Sequence, residues 1–172
     1  MRAIIGSIEA SWRRYKTLSE QSFEQLEDSQ LGLEPPGGGN SIAVNAVHIA
    51  GNLKSRFTDF RTDDGEKPWR DRDSEFLPRP NLSRDEMLQL WNEGWNALFA
   101  TLAALADADL HRTVTIRGEQ LPVYEALHQL MTHTSYHAGQ IVYAAKAVRG
   151  SAWRCLSIPL GKSQDYYRKP GA

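Results

Sequence analysis

The sequence has a single cysteine, Cys155, so no intrachain disulfide can form and the cysteine-rich zinc patterns are excluded. It has no run near the roughly 20 apolar residues that a membrane helix requires. It also lacks net charge. Twenty Lys and Arg stand against 21 Asp and Glu, giving −1, which leaves no basic footprint for nucleic acid or for an anionic membrane. The first residues, MRAIIGSIEASWRR, hold too short an apolar run for a signal-peptide core. These absences lead us to expect a soluble cytoplasmic protein with small-molecule or protein partners. No internal repeat is visible.

The 172 residues suit one domain, 1–172, with a continuous core. Ile4, Ile8, Trp12, Tyr15, Phe23 and Leu26 recur at helical spacing, predicting a first helix that ends near Glu34, before the Pro-Pro-Gly-Gly-Gly segment. Asn40 or Ser41 can cap a second helix with the stripe Ile42, Ala46, Ile49, Leu53, Phe57 and Phe60. Between Arg61 and Leu82 periodicity disappears. Trp69 and Phe76 could anchor this long loop, and the alternating signs of Arg70, Asp71, Arg72 and Asp73 suggest local ion pairs; loops of this length tend to be functional. Ser83 and Glu86 form a capping box ahead of a third helix marked by Met87, Trp91, Leu98, Leu102 and Leu105. Val114, Thr115 and Ile116, bounded by Gly118, read as a short extended excursion. Pro122 suits the first turn of a fourth helix that runs to a C-cap at Gly150. The tail after Gly150 has no usable period. The expected class is all-α, an up-and-down four-helix bundle with a long loop between helices 2 and 3 and a short extended excursion before helix 4.

Histidines carry the chemistry. His133 and His137 are four apart, so they lie on one helical face about a turn from each other, on or beside the apolar stripe. A metal ion would satisfy both imidazoles. A third ligand should come from another helix, and His48 is the best candidate because it sits mid-helix among Val44, Val47 and Gly51. The competing reading makes these core histidines bonded to carbonyls or to hydroxyls such as those of Thr134 and Tyr136, and spacing alone leaves the two open. The intervening Thr-Ser-Tyr excludes the His-Glu-x-x-His zincin helix. His128 lies roughly 140° around the helix from His133, and His111 falls in a connector, so neither is expected at the site.

The string AVHIAGNLKSRFTDFRTDDGEKPWRDRDSEF from Ala46 to Phe76, the string HTSYHAGQIVYAAK from His133 to Lys146 and the late WRCLSIPLGKS resemble a branch of the DinB/YfiT-like superfamily, most of whose members have no assigned function. The resemblance spans nearly the whole chain. It implies a four-helix bundle, commonly a homodimer, binding nickel or zinc through one histidine on the second helix and a His-x-x-x-His pair on the fourth. Carried onto this sequence, the ligands are His48, His133 and His137. Three neutral nitrogen ligands leave coordination positions open, the pattern of a catalytic site. Characterised members of the superfamily include transferases and isomerases that use low-molecular-weight thiols, and the resemblance implies a metal-dependent enzyme of that kind, acting on a small molecule with a thiol as cosubstrate. The alternatives are a non-catalytic module whose ion ties helices 2 and 4 together, and a helical dimerisation protein without metal.

Further candidates are weaker. Gly51, Asn52, Ser55 and Asp59 follow His48 at helical steps and could leave a pocket beside the metal, with Asp59 as an acid or base. Gln140 could reach the site, and Tyr143 could supply a phenol. Arg56, Arg61 and Lys67 could hold a substrate carboxylate or phosphate, against the plainer reading of ion pairs with Asp59, Asp63 or Glu66. Asp63, Asp64 and Glu66 lack the ligand spacing of a calcium loop. Lys162 and Ser163 could close a pocket, though nothing in the pattern locates them.

Overall fold

The computed structural model describes residues 1–167. These residues are mostly helical, with helices α1 (Ala3–Phe23), α2 (Asp28–Leu31), α3 (Ile42–Phe57), α4 (Arg84–Ala103), α5 (Val123–Arg149) and α6 (Ser163–Tyr167), and a two-stranded sheet of β1 (Thr113–Ile116) and β2 (Glu119–Pro122). The four long helices carry the core. α3 packs on α4 and on α5, and α1 packs on α5 and, less extensively, on α4. Their apolar stripes meet in one cluster whose largest buried side chains include Trp12, Trp91, Trp95, Phe23 and Phe57. Trp12 meets Phe57 edge-on at 5.7 Å and Phe23 meets Trp91 edge-on at 5.3 Å, so α1 is joined to both α3 and α4 by aromatic pairs. The Trp91 indole donates to Glu20 Oε1 at 3.1 Å, which satisfies the polar atom of a wholly buried ring.

Local chemistry sets the helix ends. Ser41 Oγ accepts from Val44 N at 3.2 Å and begins α3. Ser83 and Glu86 make the capping box expected of α4, with Ser83 N donating to Glu86 Oε2 at 3.0 Å and Glu86 N donating to Ser83 Oγ at 3.2 Å. Gly150, at φ +61, ends α5 where a residue with a Cβ would be strained.

Four boundaries differ from expectation. α1 stops at Phe23, eleven residues before Glu34 (34 − 23), because Glu27 starts the separate turn α2 and its N–H bonds to Gln30 Oε1 at 2.9 Å. Phe23 and Leu26 keep helix-like spacing while the backbone turns, and Leu31 joins them in the same core. α3 ends at Phe57, with Thr58 extended and Asp59 at φ +53; Phe60 is buried from beyond the helix. The extended excursion is one half of a hairpin, with Thr113 opposite Pro122 and Ile116 opposite Glu119. Its turn residues, Arg117 and Gly118, have φ of +56° and +74°. Pro122 pairs in that ladder and becomes the N-cap of α5.

The long loop is tied down at both ends. Asp64 accepts the backbone N–H groups of Arg117 at 2.7 Å and Gly118 at 2.6 Å, and Gly65 N donates to Thr115 O at 3.0 Å, so the loop's start is fastened to the hairpin. Its end forms a 3-10 turn over Asp73–Phe76 that packs against α3. The loop's aromatics divide, with Phe76 lying against the His48 ring at 4.5 Å, tilted by 39°, while Trp69 stays 53% exposed under a distant Lys54. The alternating charges do not pair with each other: Arg70 binds Glu75, and Arg72 lies over Phe76. Beyond α5, the side chain of Gln25 holds the tail through both backbone groups of Arg154, at 2.7 and 3.0 Å. Among the described residues, no helix is long and apolar enough to cross a membrane.

Candidate metal centre

His48 points inward from the middle of α3, and His133 and His137 from successive turns of α5. One ring nitrogen of each lies within 4.8 Å of the other two, and the three rings meet edge to face at centroid distances of 4.5 to 5.1 Å. His48 Nε2 and His133 Nε2 are 3.2 Å apart. Two nitrogens bound to one tetrahedral zinc-type ion at about 2.1 Å would stand about 3.4 Å apart, so this spacing suits a shared ion.

Hydrogen bonds fix two of the three tautomers. His48 Nδ1 lies 2.8 Å from Glu75 Oε2, and a carboxylate only accepts, so Nδ1 carries the proton and Nε2 presents its lone pair. His137 Nδ1 lies 3.2 Å from Asn45 Oδ1 and 2.8 Å from Gln140 Oε1, two more acceptors, which again leaves Nε2 bare. His133 is different, because its Nδ1 is buried without a partner. The bare Nε2 atoms meeting in a buried site call for a partner, which at His48 is either the Nε2–H of a neutral His133, 3.2 Å away, or a cation. A second proton on either α5 ring is disfavoured: burial, and then the neighbouring imidazoles, push both His133 and His137 down to about 4. Neutral imidazoles with lone pairs converging on one point are the form in which histidine binds metal, so the donor set fits a divalent ion.

Glu75 belongs to this cluster, although no sequence pattern marks it. It lies 27 positions from its partner His48, in the aperiodic loop. Arg70 grips it with two bonds, Nε to Oε1 and Nη2 to Oε2, each 2.8 Å. Burial alone would raise this carboxyl, but the bonds from Arg70 and His48 outweigh it and hold Glu75 below the ordinary carboxylate range. The resulting chain of Arg70, Glu75 and His48 is the carboxylate–histidine arrangement that orients ligands in metal sites. Gly51, one turn along α3, makes room for it. A Cβ at that position would come within 2.1 Å of Glu75 Oε1.

These observations decide which residues the fold brings together, and a comparison of the sequence places it among relatives. A family model described as a protein of unknown function (DUF1572) matches residues 2–162. The chain belongs to the DUF1572 family. All three histidines and Glu75 fall inside the matched span. No curated protein matches the chain, and no solved structure does.

Other candidates fall in different places within this DUF1572 fold. Gln140 bonds to His137, and together with Asn45 and Tyr143 it walls a cavity of about 330 Å³ on the far side of that ring. Tyr143 itself is 70% exposed. Asp59 lies beyond the C-terminus of α3, walling a different cavity with Thr101 and Ala104, away from the histidines. His128 and His111 are exposed. Ser55 Oγ donates to Gly65 O at 2.6 Å and secures the loop. Lys67 pairs with Asp63 at 2.5 Å, as the ion-pair reading has it, and Arg56 donates through Nη2 to Glu66 at 3.1 Å, while Arg61 is exposed. Lys162 and Ser163 are exposed on the tail.

Proposed function

We propose that this chain is a divalent-metal-dependent enzyme in which His48, His133 and His137 hold nickel or zinc and coordination positions remain open for a small-molecule substrate. The observation that carries the reading is the convergence of three imidazoles on one point, two of them with Nδ1–H committed to Glu75 and to Gln140 and Asn45. A bound ion supplies Lewis acidity, lowering the pKa of a water or thiol that it coordinates. The chain's own residues then have separable tasks. Glu75, held by Arg70, keeps His48 in its ligand tautomer, and Gln140 does the same for His137. Phe76 covers the His48 ring and restricts water on that side.

A cavity of about 320 Å³, walled in part by His48 and His133, gives a small molecule access to the two ligands, which favours a catalytic site over a closed structural one. In line with the DinB/YfiT resemblance, we assign the four long helices to an up-and-down four-helix bundle, the assembly to a homodimer, the compartment to the cytoplasm and the chemistry to transfer involving a low-molecular-weight thiol. The alternative, an ion that only fastens α3 to α5, draws on the same cross-helix placement of the histidines.

Metal analysis of the purified protein beside His133→Ala tests the ligand set. We expect near-stoichiometric metal in the wild type and its loss in the variant; equal metal in both would exclude the assignment. A panel of small thiols with electrophilic acceptors, scored for turnover that chelation abolishes, then tests catalysis. Metal that raises thermal stability without any turnover would favour the fastening role.

A further inference from the structure

The cavity beside the histidines runs along two turns of α3, from His48 past Asn52 to Arg56, a rise of about 12 Å. Its charged wall is mainly guanidinium. Arg56, Arg72 and Arg117 line it, with Glu119 the acidic residue among its lining. Arg56 is 3% exposed, yet its Nη1 has no hydrogen-bond partner, and the Oδ1 of its neighbour Asn52 is also buried and unpartnered. An unsatisfied donor on a buried cation is costly, and ordinary folds avoid it. Arg72 forms no ion pair among the described residues and rests on Phe76 at 5.4 Å.

Glu66 does not neutralise this group. It accepts from Arg56 Nη2 at 3.1 Å and from Arg117 Nε at 2.8 Å, one N–H from each. A guanidinium has five donors, so the contact orients both side chains and leaves most of their donors free. The arrangement matches the planar, multidentate recognition of an oxyanion.

We propose that Arg56, Arg72 and Arg117 form an anion subsite for the phosphate or carboxylate of a small substrate whose reactive end lies at His48 and His133. The anion subsite stands on the cavity and the guanidiniums alone, whereas the placing of the reactive end rests on the metal-centre reading. The substrate is therefore bifunctional: an oxyanion at one end, and at the other a group that a divalent ion can coordinate or activate.

Calorimetric titration of the full-length protein with inorganic phosphate and, separately, malonate tests this, each against metal-free and metal-loaded protein. Arg72→Ala/Arg117→Ala changes two exposed side chains, and Arg56→Lys keeps the buried charge while removing the fork. We expect at least one probe to bind metal-free wild type, more weakly as sodium chloride rises, with affinity at least tenfold lower in the double variant and severalfold lower in Arg56→Lys. Which probe binds more tightly distinguishes a phosphate from a carboxylate substrate. Metal content should be unchanged in the double variant. Undiminished affinity in that variant, no binding of either probe, or binding seen only with metal present would each overturn the subsite. The metal reading fails separately, through unchanged metal in His133→Ala, and that result would leave arginine-dependent anion binding intact.

Discussion

Gly51 lacks a side chain at the point where Glu75 enters, and this pairing of a vacancy with a carboxylate makes the two residues testable as one device. In Gly51→Ala the new Cβ, 2.1 Å from Oε1 and 2.9 Å from Cδ, must displace Glu75 from His48 Nδ1. Overpacking of this kind costs about 1–3 kcal/mol. The expected result is a lower urea midpoint together with weaker metal binding, measured by competition with a chelator. Glu75→Gln separates the two effects, because the amide keeps the shape and removes the charge. Loss of such an outer partner weakens metal affinity by roughly 10–100-fold. We expect that loss in Glu75→Gln with the histidine set intact; affinity equal to wild type would show that Glu75 does not orient the ligand.

Between elements, the close approach of α3 and α4 depends on Gly94, where a Cβ would fall 2.5 Å from Ala50 O and 2.7 Å from Ala50 Cα. Backbone cannot step aside as a carboxylate can. Gly94→Ala should therefore destabilise the fold by about 3 kcal/mol or more in urea unfolding, yet leave the metal affinity of the folded fraction unchanged. A drop in affinity matching that of Gly51→Ala would mean that the helix pair, rather than Glu75, sets the site. Elements of this kind were legible in the sequence wherever one stripe or one cap determines them. Ser83 with Glu86 placed the start of α4 to the residue, and the i, i+4 spacing put His133 and His137 on one face. What stayed hidden is non-local. Glu75 and Arg70 lie in a segment without periodicity and gain their roles only when the chain folds back over α3. The second strand, Glu-Gln-Leu-Pro, carries neither a β-branched residue nor an alternating pattern, and it forms because Val114 and Ile116 need a partner over the core. The end of α1 was placed too late because Leu26 stays buried three residues after Phe23, at helical spacing, and the first strong helix breaker in the sequence is Pro35, although the backbone already turns after Phe23.

For the molecule as a whole, the neutral histidines couple folding to protons. In the metal-free protein, burial and then the adjacent imidazoles hold His133 and His137 at about 4, whereas an unfolded chain would titrate them near 6.5. From about pH 6.5 down to about 4 the unfolded state therefore binds more protons than the folded state, and stability falls as pH falls. Below about 4 both states are protonated and this contribution flattens. Glu75 acts in the same sense but lower, since its folded carboxyl is held beneath the ordinary carboxylate range and its contribution is lost as that group protonates. Urea midpoints of chelated protein, measured from pH 7 to pH 4, should show a slope approaching two protons near the middle of this window, at about pH 5. The double variant His133→Asn/His137→Asn should lose most of that slope while remaining folded at neutral pH. Loaded metal should steepen the wild-type dependence, because protons and the ion compete for the same nitrogens. A metal-free wild type with a flat midpoint between pH 6.5 and 5 would mean that the imidazoles are not held neutral, and the donor set would then lose its main qualification for binding a cation.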